Sequence, residues 1–180
     1  MDSHIKKAHK FAAEAHYGQE RKFTGVPYLT HLEETAQLLW EVTEGQADHD
    51  DYIVAILHDV VEDTDVEPIE IGREFGGAIM DLVVELTNDP VEKGKKGKKS
   101  YLVEKMNNMS SRALTIKLCD RLSNVSGLEN DLVKTDFVKW YIKETFYILD
   151  NLDRELNEDQ EYLIDRIKKM LLYIRISRKL

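Results

Sequence analysis

The chain holds one cysteine in 180 residues, no excess of positive charge, little strand-like alternation and no long apolar run. Each shortage excludes something. Cys119 alone cannot close an internal disulfide, which fits a reducing cytoplasm, and its apolar neighbours suit a small core residue rather than a nucleophile. No stretch approaches the ~20 apolar residues that cross a bilayer. The amino end, Met1-Asp2-Ser3-His4-Ile5-Lys6-Lys7, reads as the start of an amphipathic segment and not as a leader. A net charge of −9 argues against broad binding to nucleic acid or an anionic membrane, while leaving room for a local basic pocket that takes a phosphorylated small molecule. The length suits one domain spanning residues 1–180, with enough chain to bury a real core.

What is present is helical spacing. It predicts a first helix from about Ser3 to Tyr17, with His16 structural, then a loop or short β-hairpin near Phe23–Tyr28. Thr30 can cap a second helix that carries His31 and buries Leu32, Ala36, Leu39 and Trp40. Asp48 or Asp50 opens the third. Helices are expected at Ile69–Phe75, Ala78–Leu86, Tyr101–Met109 and Ala113–Leu128, the last capped by Ser110 or Ser111. Asn88 to Ser100, lysine-rich between Lys93 and Lys99, reads as a solvated loop, with a charge-supplying clamp for a polyphosphate as the sharper alternative. Two long helices, about Asp136–Leu152 and Glu158–Ser177, carry Trp140, Phe146, Leu163 and Ile167 in apolar stripes that either close the core or form a dimer surface. The expectation is an all-α bundle without internal repeats.

The stretch Ile53 to Thr64 says most about function. On one continuous helix, at about 100° per residue, His58, Asp59, Glu62 and Asp63 fall within an arc of roughly 140°. Ile53, Ile56, Leu57, Val60 and Val61 cover the other side and should anchor it in the core. Three carboxylates held together are costly unless a cation or hydrogen-bond donors compensate them. A second polar face, Lys117, Asp120, Arg121 and Asn124, lies opposite Leu114, Leu118, Leu122 and Val125. His31, His58, Asp59 and Asp120 together can make a metal site. Imidazole and carboxylate suit a borderline divalent ion, and four protein ligands leave octahedral positions for water and substrate. Such an ion favours hydrolysis of a phosphate ester or anhydride.

These residues, in this order, resemble the H…HD…D ligand set of HD-domain phosphohydrolases. Three blocks narrow the likeness: Ala15 to His31 (AHYGQERKFTGVPYLTH), His58 to Thr64 (HDVVEDT) and Ile116 to Asn124 (IKLCDRLSN). Together they resemble the hydrolase domain of RelA/SpoT-type alarmone enzymes over roughly residues 4–128, with C-terminal helices at about 135–178 beyond it. The resemblance implies an HD-domain helical bundle and a small stand-alone hydrolase that removes the 3′-pyrophosphate of (p)ppGpp, usually with Mn²⁺. It implies that Glu62 and Asp63 orient the attacking water and handle protons for the leaving group. It places Arg21, Lys22 and Asn124 in the nucleotide pocket, where an arginine plane can stack on a purine and a lysine can neutralise phosphate. Lys117 and Arg121 are left between solvent-side charge and partnership with the acidic cluster. The family often continues D-R-L-H-N-x-R-T; here Ser123 replaces the histidine and Ser126-Gly127 the Arg-Thr pair. That departure keeps two alternatives open: another phosphorylated nucleotide such as NADPH as substrate, or a non-catalytic alarmone sensor.

Overall fold

The computed structural model describes residues 3–180. Met1 and Asp2, with which the amino-terminal reading begins, lie outside the described residues. The order of elements is α1 (Ser3–Ala15), α2 (Leu29–Val42), α3 (His49–Leu57), α4 (Val60–Asp63), α5 (Pro68–Phe75), α6 (Gly77–Leu86), α7 (Pro90–Lys96), α8 (Lys98–Asn108), α9 (Ser111–Ser126), a 3-10 turn (Gly127–Glu129), α10 (Thr135–Asp150) and α11 (Glu158–Ser177). No strand occurs among the described residues. The expected hairpin shrinks to an isolated antiparallel bridge between Glu20 and Pro27, flanked by Arg21 N–H to Val26 O at 2.7 Å and Tyr28 N–H to Gln19 O at 2.9 Å. Pairing cannot extend because Phe23 and Gly25 between them both adopt positive φ.

α9 is the axis of the fold. It packs against α2, α3, α6 and α11, and every residue from Ala113 to Val125 except Asn124 is buried. Its polar face is therefore inside as well, so the two-sided pattern marks an internal polar layer rather than a solvent face. Ser110 starts the helix by accepting from Ala113 N–H. α3 supports α9 with five consecutive buried residues, Ile53 to Leu57.

Four expectations need correcting. The segment 53–64 is not one helix: it opens at His58 and Asp59, and Asp59 sits at φ −102°, ψ −4°, in the bridge region that often holds active-site residues. The supposed loop at 88–100 is helical. Asp89 caps α7 by accepting from Val91 and Glu92 N–H, and Pro90 fills the first turn, while Gly97, at φ +77°, turns the chain into α8. Thr30 donates to the Pro27 carbonyl instead of capping, since α2 already starts at Leu29. Trp40 and Trp140, expected to be packed, stand 43% and 44% exposed.

Candidate active site

His31 enters from the first turn of α2, His58 from the end of α3, Asp59 from the opened turn and Asp120 from the middle of α9. The ring nitrogens of His31 and His58 and a carboxylate oxygen of Asp120 lie within 4.8 Å of one another, all three residues buried. His31 Nε2 is 3.2 Å from Asp120 Oδ1, and His58 Nε2 is 3.8 Å from the same oxygen. Asp59 closes a further side, with Oδ2 at 3.5 Å from His31 Nε2 and 3.2 Å from His58 Nε2. Successive residues of a regular helix point about 100° apart, so the open turn is what lets Asp59 face the ring of its own neighbour.

The donor set fits a divalent cation. Both Nε2 atoms are buried and make no hydrogen bond. Each ring is held from behind: His58 Nδ1 meets the Ala55 carbonyl at 2.8 Å, and His31 Nδ1 meets Ser123 Oγ at 2.9 Å. With the outer nitrogens so engaged, both Nε2 lone pairs can turn to one point. With only protons to balance the two carboxylates, burial disfavours the His58 imidazolium, but Asp59 and Asp120 outweigh it and raise its pKa to about 10. His31 is raised in the same way, against burial. Burial opposes the charged forms of Asp59 and Asp120 too, yet His58 beside the first and Lys117 beside the second hold them well below the ordinary carboxylate range. Lys117 Nζ lies 2.8 Å from Asp120 Oδ2, which resolves its open reading in favour of the acidic cluster. Arg121 turns away, to Glu144 at 3.7 Å and the face of Tyr141.

Glu62 and Asp63 are separated by their partners. Glu62 accepts from the backbone and side chain of Asn88 at 2.9–3.0 Å and faces Lys93 at 3.5 Å. Asp63 accepts from Tyr28 at 3.2 Å, whose hydroxyl also reaches Asp59 Oδ2 at 2.6 Å. Burial, then the charges of Asp59 and Glu62, raise the Asp63 pKa. Burial and the Asp59 charge keep the Tyr28 phenol protonated and donating. Both acids line an open depression with Gln19 and Thr64.

Arg21, Lys22 and Asn124 share a neighbouring cavity of about 510 Å³ with Tyr28, His31 and Phe137. Lys22 lies over the rings of Phe23 and Phe137. Asn124 donates to Asp120 Oδ1. Arg21 pairs closely with Glu34 and reaches the Ser123 carbonyl at 3.3 Å. The sequence reading gave Tyr28, Glu34 and Asn88 no role and noticed Ser123 only as a departure. Spacing held part of the signal, since Tyr28 and Glu34 stand three residues either side of His31 and therefore on its helix face. Asn88 left no trace, because its approach to Glu62 is purely tertiary.

A family model described as an HD domain matches residues 8–152. The chain is 38% identical over 133 residues to the guanosine-3′,5′-bis(diphosphate) 3′-pyrophosphohydrolase of Aquifex aeolicus, covering 69% of this chain and 18% of that protein. It is 32% identical over 168 residues to the guanosine-3′,5′-bis(diphosphate) 3′-pyrophosphohydrolase MESH1 of Mus musculus, covering 91% of this chain and 90% of that one. It thus spans only a small part of the bacterial relative and nearly all of the mouse one. A solved metazoan ortholog of SpoT, reported to hydrolyse ppGpp and to play a role in starvation responses, superposes with a TM-score of 0.79 at 27% identity, over 99% of this chain and 97% of that one. The chain belongs to the HD-domain family, in the branch that includes the MESH1 proteins.

Proposed function

We propose that this protein is a metal-dependent hydrolase that removes the 3′-pyrophosphate of (p)ppGpp, giving GDP or GTP and pyrophosphate, with Mn²⁺ as its ion and the cytoplasm as its place of work. The observation that carries the reading is the convergence of two unpartnered, buried imidazole nitrogens and Asp120 beside a cavity that holds Arg21 and Lys22. Relatives with the same matched region are named for this reaction.

His31, His58, Asp59 and Asp120 would hold the ion, which when bound lowers the pKa of water and polarises a phosphoryl oxygen. Arg21 and Lys22 bind the nucleotide, the lysine supported by two aromatic faces. Asn124, tied to Asp120, joins the pocket to the ligand set. In the reaction, water oxygen bonds the phosphorus next to the ribose and the P–O3′ bond breaks. A carboxylate takes the proton from water and O3′ receives one. Asp63, its pKa raised by burial and neighbouring acids, is suited to hold and hand over that proton. Glu62, fixed by Asn88, orients rather than reaches. The whole chain acts as one hydrolase domain, because α10 supplies Phe137 and Tyr141 to the pocket wall.

The test is pyrophosphate release from ppGpp by the Mn²⁺-loaded protein. Turnover that stops with chelator and in Asp120→Ala is expected. No release from ppGpp ends this reading, nucleotide binding without turnover points to a sensor, and faster turnover of NADPH moves the substrate to another nucleotide.

A further inference from the structure

The two imidazoles differ in what stands behind them. His58 is backed by a backbone carbonyl, a fixed dipole. His31 is backed by a chain of side chains: Ser123 Oγ at 2.9 Å from its Nδ1, then Glu34 Oε2 at 2.8 Å from that hydroxyl. The same Glu34 oxygen accepts from Arg21 Nη1. The direction of this chain follows from the chemistry of its ends. To offer a lone pair at Nε2, His31 must carry its proton on Nδ1, so it donates to Ser123. The single Ser123 proton then goes to Glu34, which as a carboxylate only accepts. Arg21 only donates, and it arrives at the same atom from the nucleotide cavity.

Position reinforces the link. Ser123 and His31 are buried, so no solvent competes for their bond, while Glu34 is half exposed where it pairs with Arg21. Gly127 lies beside Arg21: a Cβ there would stand 3.4 Å from Nη2, at the edge of ordinary contact. The two departures from the family pattern, Ser123 and Gly127, both lie next to the Arg21 guanidinium.

Resting on the hydrolase reading for the cation site and for Arg21, we infer that Ser123 and Glu34 are positioning residues that couple Arg21 to His31, so that nucleotide engagement and cation binding strengthen each other. While Arg21 neutralises Glu34, the carboxylate pulls weakly on Ser123. When Arg21 turns to a purine or phosphate, the full charge of Glu34 acts through the Ser123 hydroxyl on Nδ1–H, and His31 Nε2 becomes a better donor to the ion. Linkage makes the effect reciprocal: the ion tightens the nucleotide by the same factor.

The experiment is calorimetric titration of the full chain with Mn²⁺, with and without saturating GDP, each affinity referred to free Mn²⁺ after a protein-free titration has fixed the ion that GDP itself takes up. For the wild type, GDP is expected to tighten Mn²⁺ binding several-fold. Ser123→Ala should weaken Mn²⁺ binding by about 10–100-fold and remove the GDP effect, and Ser123→Thr, which keeps the hydroxyl, should restore most of both. Glu34→Gln keeps an acceptor on the half-exposed surface but loses the charge; it should fold normally, bind Mn²⁺ with a smaller loss and show no GDP effect. That variant decides the matter if Ser123→Ala does not fold. A wild type whose Mn²⁺ affinity GDP leaves unchanged, or variants that match wild type in both titrations, overturn the coupling alone. A wild type that binds no Mn²⁺ overturns the hydrolase reading and the coupling with it.

Discussion

At the scale of the residue, Asp120 is the most constrained group in the site. Lys117, His31, His58 and Asn124 all address its carboxylate, and Lys117 and Asp120 are both buried. Removing one partner of a buried pair strands the other, at a cost of about 3–5 kcal/mol. Lys117→Ala should therefore lower the stability of the metal-free protein by about that much, read from the urea midpoint. Asp63 makes a contrasting case. It lies outside the His31, His58 and Asp120 cluster; its carboxylate accepts from Tyr28 and its backbone carbonyl from the Gln19 side chain. Asp63→Asn should lower kcat by about 10²–10⁴-fold while calorimetry shows Mn²⁺ bound as before; a large loss of metal affinity would instead make Asp63 a ligand. Cys119 is buried, and that burial chiefly pushes its thiol up.

At the scale of the element, periodicity located helices well where burial and capping agree. α11 has the expected bounds because Asn157 and Gln160 form a reciprocal capping box at its start and Leu163, Ile167, Leu171 and Ile174 bury one stripe. Asn157→Ala should cost about 0.5–2 kcal/mol, seen as a lower denaturation midpoint with unchanged slope. Composition misled at α7 and α8, where lysine and glycine suggested a solvated loop. Lys95 pairs with Glu92 at 2.9 Å, Lys96 with Glu104 at 2.8 Å and Lys98 with Glu144 at 3.0 Å. Lys96 and Lys98 thus bridge α7 to α8 and α8 to α10, while Lys95 pairs within α7. The open turn at His58–Asp59 left no mark in the apolar spacing for another reason: the break serves contacts made by other elements.

At the scale of the whole molecule, the buried His and Asp cluster makes stability depend on pH. The folded pKa of His58 is raised from 6.5 to about 10, and that of His31 is raised as well. Their contribution is complete below 6.5, the unfolded value, and is lost as pH climbs through the raised folded values. Asp59 and Asp120 are lowered, so their contribution is present above the unfolded value of 3.8 and is lost as pH falls through the lowered ones. Thermal melts in chelator should therefore show the cluster stabilising most in mildly acidic solution and progressively less toward alkaline pH. Mn²⁺ requires neutral imidazoles, so the rise in Tm that it gives should grow with pH over the same range. A rise in Tm that is flat or shrinks with pH would contradict a site shared between protons and metal.

The sequence by itself determined the helical class and three ordered polar blocks, because the spacing of apolar residues and the identities of His31, His58, Asp59 and Asp120 are local facts. It also carried Glu62, Asp63, Arg21, Lys22 and Asn124 as candidates through resemblance. Only the tertiary structure decided how these residues divide. Glu62 is held by Asn88, and Asp63 by Tyr28. Arg21 is held by Glu34, which meets Ser123 across the α2–α9 packing. Those pairings join residues up to 89 positions apart in the chain. No local pattern specifies such a distance; burying α9 with its polar face inward does.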